Sequence, residues 1–119
     1  MTFQELGLRQ EILDAVAELG FVNPMPVQEQ VIPYMLTHEN DLVALAQTGT
    51  GKTAAFGLPI LNMVNVEQRK IQSLVLAPTR ELCIQIANDI KNFASKMRGV
   101  KVVPVYGGES IVSQYKQLD

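Results

Sequence analysis

The chain has little of what would place it outside a reducing compartment or inside a membrane. Cys83 is its only cysteine, so no disulfide can form within the chain. Structural disulfides are typical of oxidising compartments, and we therefore expect a cytoplasmic protein. No uninterrupted apolar run approaches the ~18 residues that a membrane span needs. Residues 1–19 carry acidic side chains among the apolar ones instead of a basic segment and an apolar run, so we expect no secretory signal.

An excess of positive charge is also missing. The 119 residues carry 10 basic and 12 acidic side chains, for a formal charge of −2. This balance argues against a protein that binds nucleic acid through bulk charge, and it leaves a local basic site open. Hydrophobic residues make up 47% and charged residues 18%, which is typical of one small globular domain.

Apolar periodicity predicts two helices in the first third of the chain. Leu8, Ile12, Val16 and Leu19 recur at helical spacing, and Gly20 follows as a stop signal. A second helix is predicted over about residues 27–32. Pro26 suits the first turn of this helix, and Pro33 would end or kink it.

Strand-like and helical segments alternate after this point. Continuous apolar runs at 42–46 and 73–77 predict strands buried on both faces, and 101–106 predicts a third strand. Helices are predicted from about 52 to 64 and along the stripe that runs from Leu82 to Met97. The chain ends in an amphipathic segment at 111–118. This alternation predicts an α/β fold with a parallel sheet.

The first predicted strand is followed by a glycine-rich turn that opens a helix. Its residues are Ala46-Gln47-Thr48-Gly49-Thr50-Gly51-Lys52-Thr53. Glycines let backbone N–H groups curl around a phosphate, and a helix N-terminus adds unpaired N–H groups and a positive dipole end. Lys52 would reach the β- and γ-phosphates, and the Thr53 hydroxyl would hold Mg²⁺ through the bound nucleotide. The pattern therefore predicts a phosphate-binding loop.

Three segments in order resemble the DEAD-box RNA helicases. Residues 46–53 resemble that family's phosphate loop, in which Ala is usual at the first place. Residues 20–28 resemble its Q motif, with Phe3 as the upstream aromatic, and 76–82 resemble its motif Ia. The resemblance covers nearly the whole chain. It implies the first part of an N-terminal RecA-like lobe, a P-loop parallel sheet flanked by helices. Residues 1–40 would form the Q-motif region and 41–119 the first part of the ATP-binding lobe, in a single incomplete domain.

The resemblance implies a site for ATP. The Gln28 amide can accept a hydrogen bond from N6–H₂ of adenine and donate one to N7. Guanine presents a different pattern of donors and acceptors at those positions. Phe21 matches the aromatic that packs on the base, and Phe3 would support this pocket. From the residues alone, Phe21 could instead close the first helix and Gln28 could be a solvated helix residue. The expected ATP contacts are Phe3, Phe21, Gln28, Ala46, Gln47, Thr48, Gly49, Thr50, Gly51, Lys52 and Thr53, of which Lys52 and Thr53 would be catalytic.

The resemblance also implies an RNA site. Pro78, Thr79 and Arg80 end the second predicted strand, where open α/β sheets bind ligands. Thr79 suits a helix N-cap, and Arg80 carries a guanidinium fork suited to phosphate. The doublet Gly107-Gly108 resembles a family doublet that contacts RNA. Such backbone contacts are independent of sequence. From spacing alone, Arg80 could merely pair with Glu81 or face water, and the glycines could merely form a turn.

The chain departs from the family pattern at one residue, and it does not contain one of the family's segments. Met25 stands where the family usually has Thr or Ser, so hydroxyl contacts toward the phosphate loop are lost. The 119 residues contain no Asp-Glu-Ala-Asp segment. We therefore expect an RNA helicase in which this chain needs the remainder of the core as a partner, and a fragment that alone binds nucleotide weakly and is inactive. A different P-loop phosphotransferase and a non-catalytic interaction fragment are the alternatives.

Overall fold

The computed structural model describes residues 1–46 and 51–107. A short 3-10 helix spans Phe3–Leu6 and is followed by α1 (Gln10–Glu18), α2 (Pro26–Thr37), α3 (Lys52–Met63) and α4 (Arg80–Phe93). None of the helices in this described part is long and apolar enough to cross a membrane. The predicted amphipathic segment at 111–118 lies outside the described residues.

Helix α1 has the buried stripe and the stop that its sequence predicts. Ile12 and Val16 are buried, and Gly20 has φ +90°, a left-handed conformation that favours glycine. The N–H of Phe21 donates to the Val16 carbonyl over 2.9 Å, which closes the end of the helix. Leu19 does not share the stripe. It is 43% exposed because it follows the last helical residue and no longer points along the buried face.

Helix α2 begins with Pro26 in its first turn, as predicted, but the predicted end at residue 32 is wrong. The helix continues through Pro33 to Thr37. A proline removes one backbone donor, so the Glu29 carbonyl loses the helical hydrogen bond that residue 33 would otherwise donate. In the last turn the Thr37 hydroxyl donates to the Pro33 carbonyl over 2.8 Å. Val31 and Ile32 are buried where α2 packs along α3. Tertiary packing therefore overrides a local helix-breaking signal.

Helix α3 lies where the sequence places it, and α4 ends at Phe93, so Met97 of the predicted stripe follows the helix. Thr79 is the N-cap of α4, and its hydroxyl oxygen accepts a hydrogen bond from the Leu82 N–H over 3.1 Å. Gly57 of α3 lets the two helices approach closely, because a Cβ there would lie 3.3 Å from Cγ1 of Ile90. The N–H of Arg9 donates to Oδ1 of Asn62 over 2.7 Å and ties the start of α1 to the last turn of α3.

One hydrophobic core joins the 3-10 helix to all the helices of the described part. Ile12, Ile32 and Leu58 are fully buried at its centre. Phe93 and Met97 close the side formed by α4 and the residues that follow it. The buried members are Phe3, Leu6, Leu8, Ile12, Leu13, Val16, Ile32, Ala54, Leu58, Leu61, Ile86, Ile90, Phe93 and Ala94.

The predicted parallel sheet is not seen in the described residues. Segments 42–46, 73–77 and 101–106 all fall within them, and none is assigned as a strand. Several apolar side chains in the first two segments are almost fully exposed: Val43 at 85%, Leu45 at 94%, Leu74 at 79% and Leu76 at 84%. A buried parallel strand needs hydrogen-bonded neighbours and helices on both faces of its sheet. Those surroundings are incomplete here, so the helical part of the α/β prediction is observed and the sheet is not.

Candidate functional site

Gln28 lies at the centre of the candidate nucleotide site and is not a solvated helix residue. It is 2% exposed, and its Oε1 accepts a hydrogen bond from the Met25 N–H over 2.9 Å. Its Nε2 donates to the Gly51 carbonyl over 3.3 Å. The first turn of α2 is therefore joined to the N-terminus of α3. Burial of an amide is tolerable because both of its polar atoms have partners.

Gly51 is required at the N-cap of α3 for two independent reasons. Its φ of +81° is left-handed, where a side chain is strained. A Cβ at this position would lie 2.4 Å from Nε2 of Gln28 and 3.3 Å from Cγ of Met25. The residue that opens the phosphate-loop helix therefore lies directly against the Q-motif residues, and a side chain at this position would displace the Gln28 amide.

We expect Gly51→Ala to destabilise the protein and to displace the Gln28 amide. Backbone strain at a left-handed position costs about 1–3 kcal/mol, and the collision with Nε2 adds to that cost. Gly20→Ala is the matched control, because Gly20 has φ +90° and nothing lies within 4 Å of its added Cβ. Thermal unfolding of both variants separates strain from collision. Equal losses of stability would show that the contact with Gln28 costs nothing.

Lys52 and Thr53 open α3 directly after this glycine. Lys52 is exposed and Thr53 is half-buried, and Ala46 is half-buried at the end of the preceding described segment. The first N–H groups of a helix lack partners within the helix, and they carry its positive dipole end. This end of α3 is therefore suited to anionic oxygens. Residues 47–50, which include Gln47, Thr48, Gly49 and Thr50, lie outside the described residues.

Three aromatic rings lie in a row beside the core. The Phe21 ring is half-buried between Phe3, with centroids 6.1 Å apart, and Phe93, with centroids 6.0 Å apart and an edge-to-face arrangement. These spacings are typical of favourable aromatic pairs. Phe21 therefore packs at the end of α1, which is the hydrophobic alternative that the sequence offered for it. The Phe3 ring contacts the Phe21 ring.

The candidate RNA residues surround the N-terminus of α4. Pro78, Thr79 and Arg80 are exposed there, and Gly107 lies in an exposed turn. Arg80 forms no ion pair with Glu81 within the described part of the chain. Its guanidinium carbon instead lies 5.3 Å from the ring centroid of Tyr106, next to Gly107. Motif Ia thus contacts the residue that precedes the glycine doublet, while Gly108 lies outside the described residues.

Sequence reasoning missed two contacts that connect these sites. The bond from Gln28 to Gly51 and the contact of Arg80 with Tyr106 both join segments that are distant along the chain. The position of Tyr106 directly before the glycine doublet was the one available signal, and it does not reveal which side chain the ring touches.

In the described residues, the cleft beside α2 does not include the expected nucleotide contacts of α3. A cleft of about 380 Å³ lies between α2 and residues 42–46, and its lining includes Ala46 but not Phe21, Gln28 or Lys52. In residues 1–46 and 51–107, no group of three or more His, Cys, Asp or Glu side chains could hold a metal ion. Thr53 remains the candidate metal contact through a bound nucleotide.

The chain is similar to known proteins of one family. The family model described as DEAD/DEAH box helicase matches residues 25–119. The chain is 48% identical over 117 residues to the DEAD-box ATP-dependent RNA helicase CshA of Geobacillus kaustophilus, covering 98% of this chain and 25% of that protein. The chain thus spans about a quarter of the length of this curated relative.

Solved structures show the same similarity. A DEAD box protein from the hyperthermophile Methanococcus jannaschii superimposes with a TM-score of 0.93 at 42% identity, covering 99% of this chain and 32% of that one. Dbp5 of S. cerevisiae, bound to RNA and ADP BeF3, superimposes with a TM-score of 0.81 at 34% identity. The superposition covers 92% of this chain and 29% of the Dbp5 chain.

Proposed function

Since the chain belongs to the DEAD/DEAH box helicase family, we propose that it is the N-terminal ATP-binding portion of an RNA helicase. That helicase couples ATP binding and hydrolysis to local unpairing of RNA duplexes in the cytoplasm. One observation carries the proposal: the buried Gln28 amide is bonded to the glycine that opens the phosphate-loop helix. Residues 1–40 form the Q-motif region in this proposal, and 41–119 form the first part of a RecA-like lobe.

The Gln28 amide retains the atoms that adenine recognition needs. An amide has two N–H donors and two lone pairs on its oxygen. One N–H is used by Gly51 and one lone pair by the Met25 N–H, which leaves one of each as far as residues 1–46 and 51–107 are concerned. The remaining pair matches N7 and N6–H₂ of adenine. Phe21, supported by Phe3, supplies the neighbouring aromatic surface.

We expect Gln28→Ala to weaken ATP binding about tenfold and GTP binding less. A bidentate contact to a base contributes about 1–3 kcal/mol of discrimination, and alanine removes both of its atoms. Gln28→Glu is the sharper variant, because a carboxylate keeps an acceptor but cannot donate to N7 or to the Gly51 carbonyl. Equilibrium binding of both nucleotides to the complete protein measures the effect. Equal affinity for ATP and GTP in the unmutated protein would contradict the role of Gln28.

The phosphates are assigned to the start of α3. Lys52 neutralises the terminal phosphates, and the α3 backbone N–H groups donate to their oxygens. The exposure of Lys52 and the left-handed turn at Gly51 leave this helix end accessible. A bound Mg²⁺ would neutralise the charge that develops on those oxygens. Thr53 is the residue whose hydroxyl would hold the Mg²⁺. Ala46, Gln47, Thr48, Gly49 and Thr50 complete the loop in this assignment.

RNA is assigned to the surface at the start of α4. Arg80 forms no ion pair among the described residues, and the Thr79 hydroxyl keeps a proton to donate after it has capped the helix. An RNA strand can approach this surface closely, because little side-chain bulk is present at Pro78, Gly107 and Gly108. Contacts of this kind bind phosphate and sugar, so recognition is independent of base sequence. Dbp5, which is 34% identical, has been solved with RNA bound.

The proposal is tested by measuring ATP turnover of the complete protein with and without single-stranded RNA. We expect RNA to stimulate turnover regardless of its base sequence, and a short RNA duplex to be unpaired in the presence of ATP. Turnover that is indifferent to RNA but transfers phosphate to a small molecule would identify a P-loop phosphotransferase instead. RNA binding without any turnover would identify a non-catalytic interaction protein.

A further inference from the structure

Tyr106 contacts the side chain that the proposed function assigns to RNA phosphate. The Arg80 guanidinium carbon lies over the Tyr106 ring, 5.3 Å from its centroid, within the distance at which a cation is attracted to an aromatic face. Arg80 is exposed and Tyr106 is half-buried. The ring is therefore held by the protein, while the guanidinium remains open to solvent on its other side.

A second contact fixes the segment that carries this ring. The Cys83 thiol donates to the Val105 carbonyl over 3.7 Å, and Cys83 lies one helical turn after Arg80 on α4. The backbone next to Tyr106 is thus tied to the same helix that presents Arg80. Two neighbouring contacts between the same two segments hold the ring in register with the guanidinium.

An aromatic partner has a consequence that a carboxylate partner does not have. A carboxylate would occupy guanidinium N–H groups and would compete with phosphate for them. A ring face restricts the orientation of the guanidinium plane and uses none of its N–H groups. Restricting a long side chain before binding lowers the conformational entropy that is lost when the ligand arrives. No hydrogen bond or ion pair of Arg80 is found within residues 1–46 and 51–107, so in this part of the chain its donors stay available to an RNA phosphate.

We propose that Tyr106 is a positioning residue for RNA binding, which orients the Arg80 guanidinium toward the RNA backbone beside Gly107. This inference rests on the proposed function, because it takes Arg80 as a phosphate contact. It adds a residue that does not itself touch RNA and whose effect passes through Arg80.

The test is a double-mutant cycle on RNA affinity in the complete protein. The variants are Tyr106→Leu, Arg80→Gln and the combination of both, with Tyr106→Phe as the control that keeps an aromatic face. Binding of a fluorescent single-stranded RNA is followed by anisotropy over a series of salt concentrations. ATP affinity and thermal unfolding are measured on the same samples.

We expect Tyr106→Leu to weaken RNA binding about three- to fivefold and Tyr106→Phe to change it less than about twofold. Arg80→Gln removes one phosphate contact and lowers the slope of log K against log salt by about 0.7. Tyr106→Leu leaves that slope unchanged, because no charge is lost. In the Arg80→Gln background, Tyr106→Leu should have no further effect. ATP affinity measured without RNA should stay unchanged in Tyr106→Leu and in Tyr106→Phe.

The outcomes separate this inference from the proposed function. An unmutated protein that does not bind RNA overturns both. RNA binding that Arg80→Gln weakens but Tyr106→Leu does not overturns the positioning role alone. An equal loss from Tyr106→Leu with and without Arg80 shows a merely structural residue and overturns it as well.

A measurement on the unmutated protein keeps the inference falsifiable if Tyr106→Leu does not fold. The ring face should shift the Arg80 side-chain N–H resonance upfield, and Arg80→Gln assigns that resonance by its disappearance. An upfield position that is retained in Tyr106→Phe supports the contact. A resonance at the position of freely exposed arginines overturns the proposal.

Discussion

Lys52→Ala should remove nearly all ATP turnover from the complete protein while its fold stays intact. Phosphoryl transfer depends mainly on positioning and on charge stabilisation around the transferred group. Lys52 is the cation at the first position of α3, next to helix N–H groups that have no helical partners. Deleting one such group costs about 10²–10³-fold in rate, so we expect at least a hundredfold loss.

The structure explains why the fold should survive this change. Lys52 is exposed and forms no ion pair in the described residues, so alanine removes neither a buried side chain nor an ion pair there. Lys91→Ala is the matched control, because Lys91 is an exposed lysine in the last turn of α4. Steady-state turnover and thermal unfolding are measured for both variants. Normal turnover in Lys52→Ala, together with an unchanged melting curve, would refute the phosphate assignment.

Residues 1–119 alone should show no appreciable ATP turnover and no RNA unwinding. By its resemblance to the DEAD-box family, the chain lacks the Asp-Glu-Ala-Asp segment that binds the metal and orients the attacking water. The phosphate loop by itself should still bind nucleotide weakly. Turnover stimulated by RNA is the measurement, with the complete protein as the positive control. Robust turnover by the isolated residues would contradict this prediction.

The same isolated residues should self-associate. Val43, Leu45, Leu74 and Leu76 are each at least 79% exposed, and they lie in two segments whose apolar runs are typical of buried strands. Exposed apolar segments with unpaired backbone groups invite pairing with another chain. Size-exclusion chromatography with light scattering measures the oligomeric state.

Two lysine substitutions test where this association occurs. Leu45→Lys should reduce it, because a charge on an exposed strand-like segment opposes pairing with a second chain. Val22→Lys is the control: Val22 is 78% exposed but lies in the turn between α1 and α2. A sharply melting monomer without either substitution would show that the exposed segments need no cover.

Sequence by itself determined the features that depend on neighbouring residues. The stop of α1 at Gly20, the Pro26 start of α2 and the Thr79 cap of α4 follow from local backbone rules, and each is observed. The motifs also identified the family, because a phosphate loop, a Q motif and motif Ia in one order form a specific combination. These features need only a few adjacent residues to be specified.

Only the tertiary structure decided which distant residues meet. It buried Gln28 and bonded it to Gly51, and it placed the Tyr106 ring under Arg80. It also carried α2 past Pro33, because packing against α3 outweighs one lost backbone donor. Helical periodicity gives the face that a residue occupies, but partners depend on how whole elements pack. The same reasoning explains the apolar runs: their composition predicts buried strands, while burial itself requires neighbouring strands to cover them.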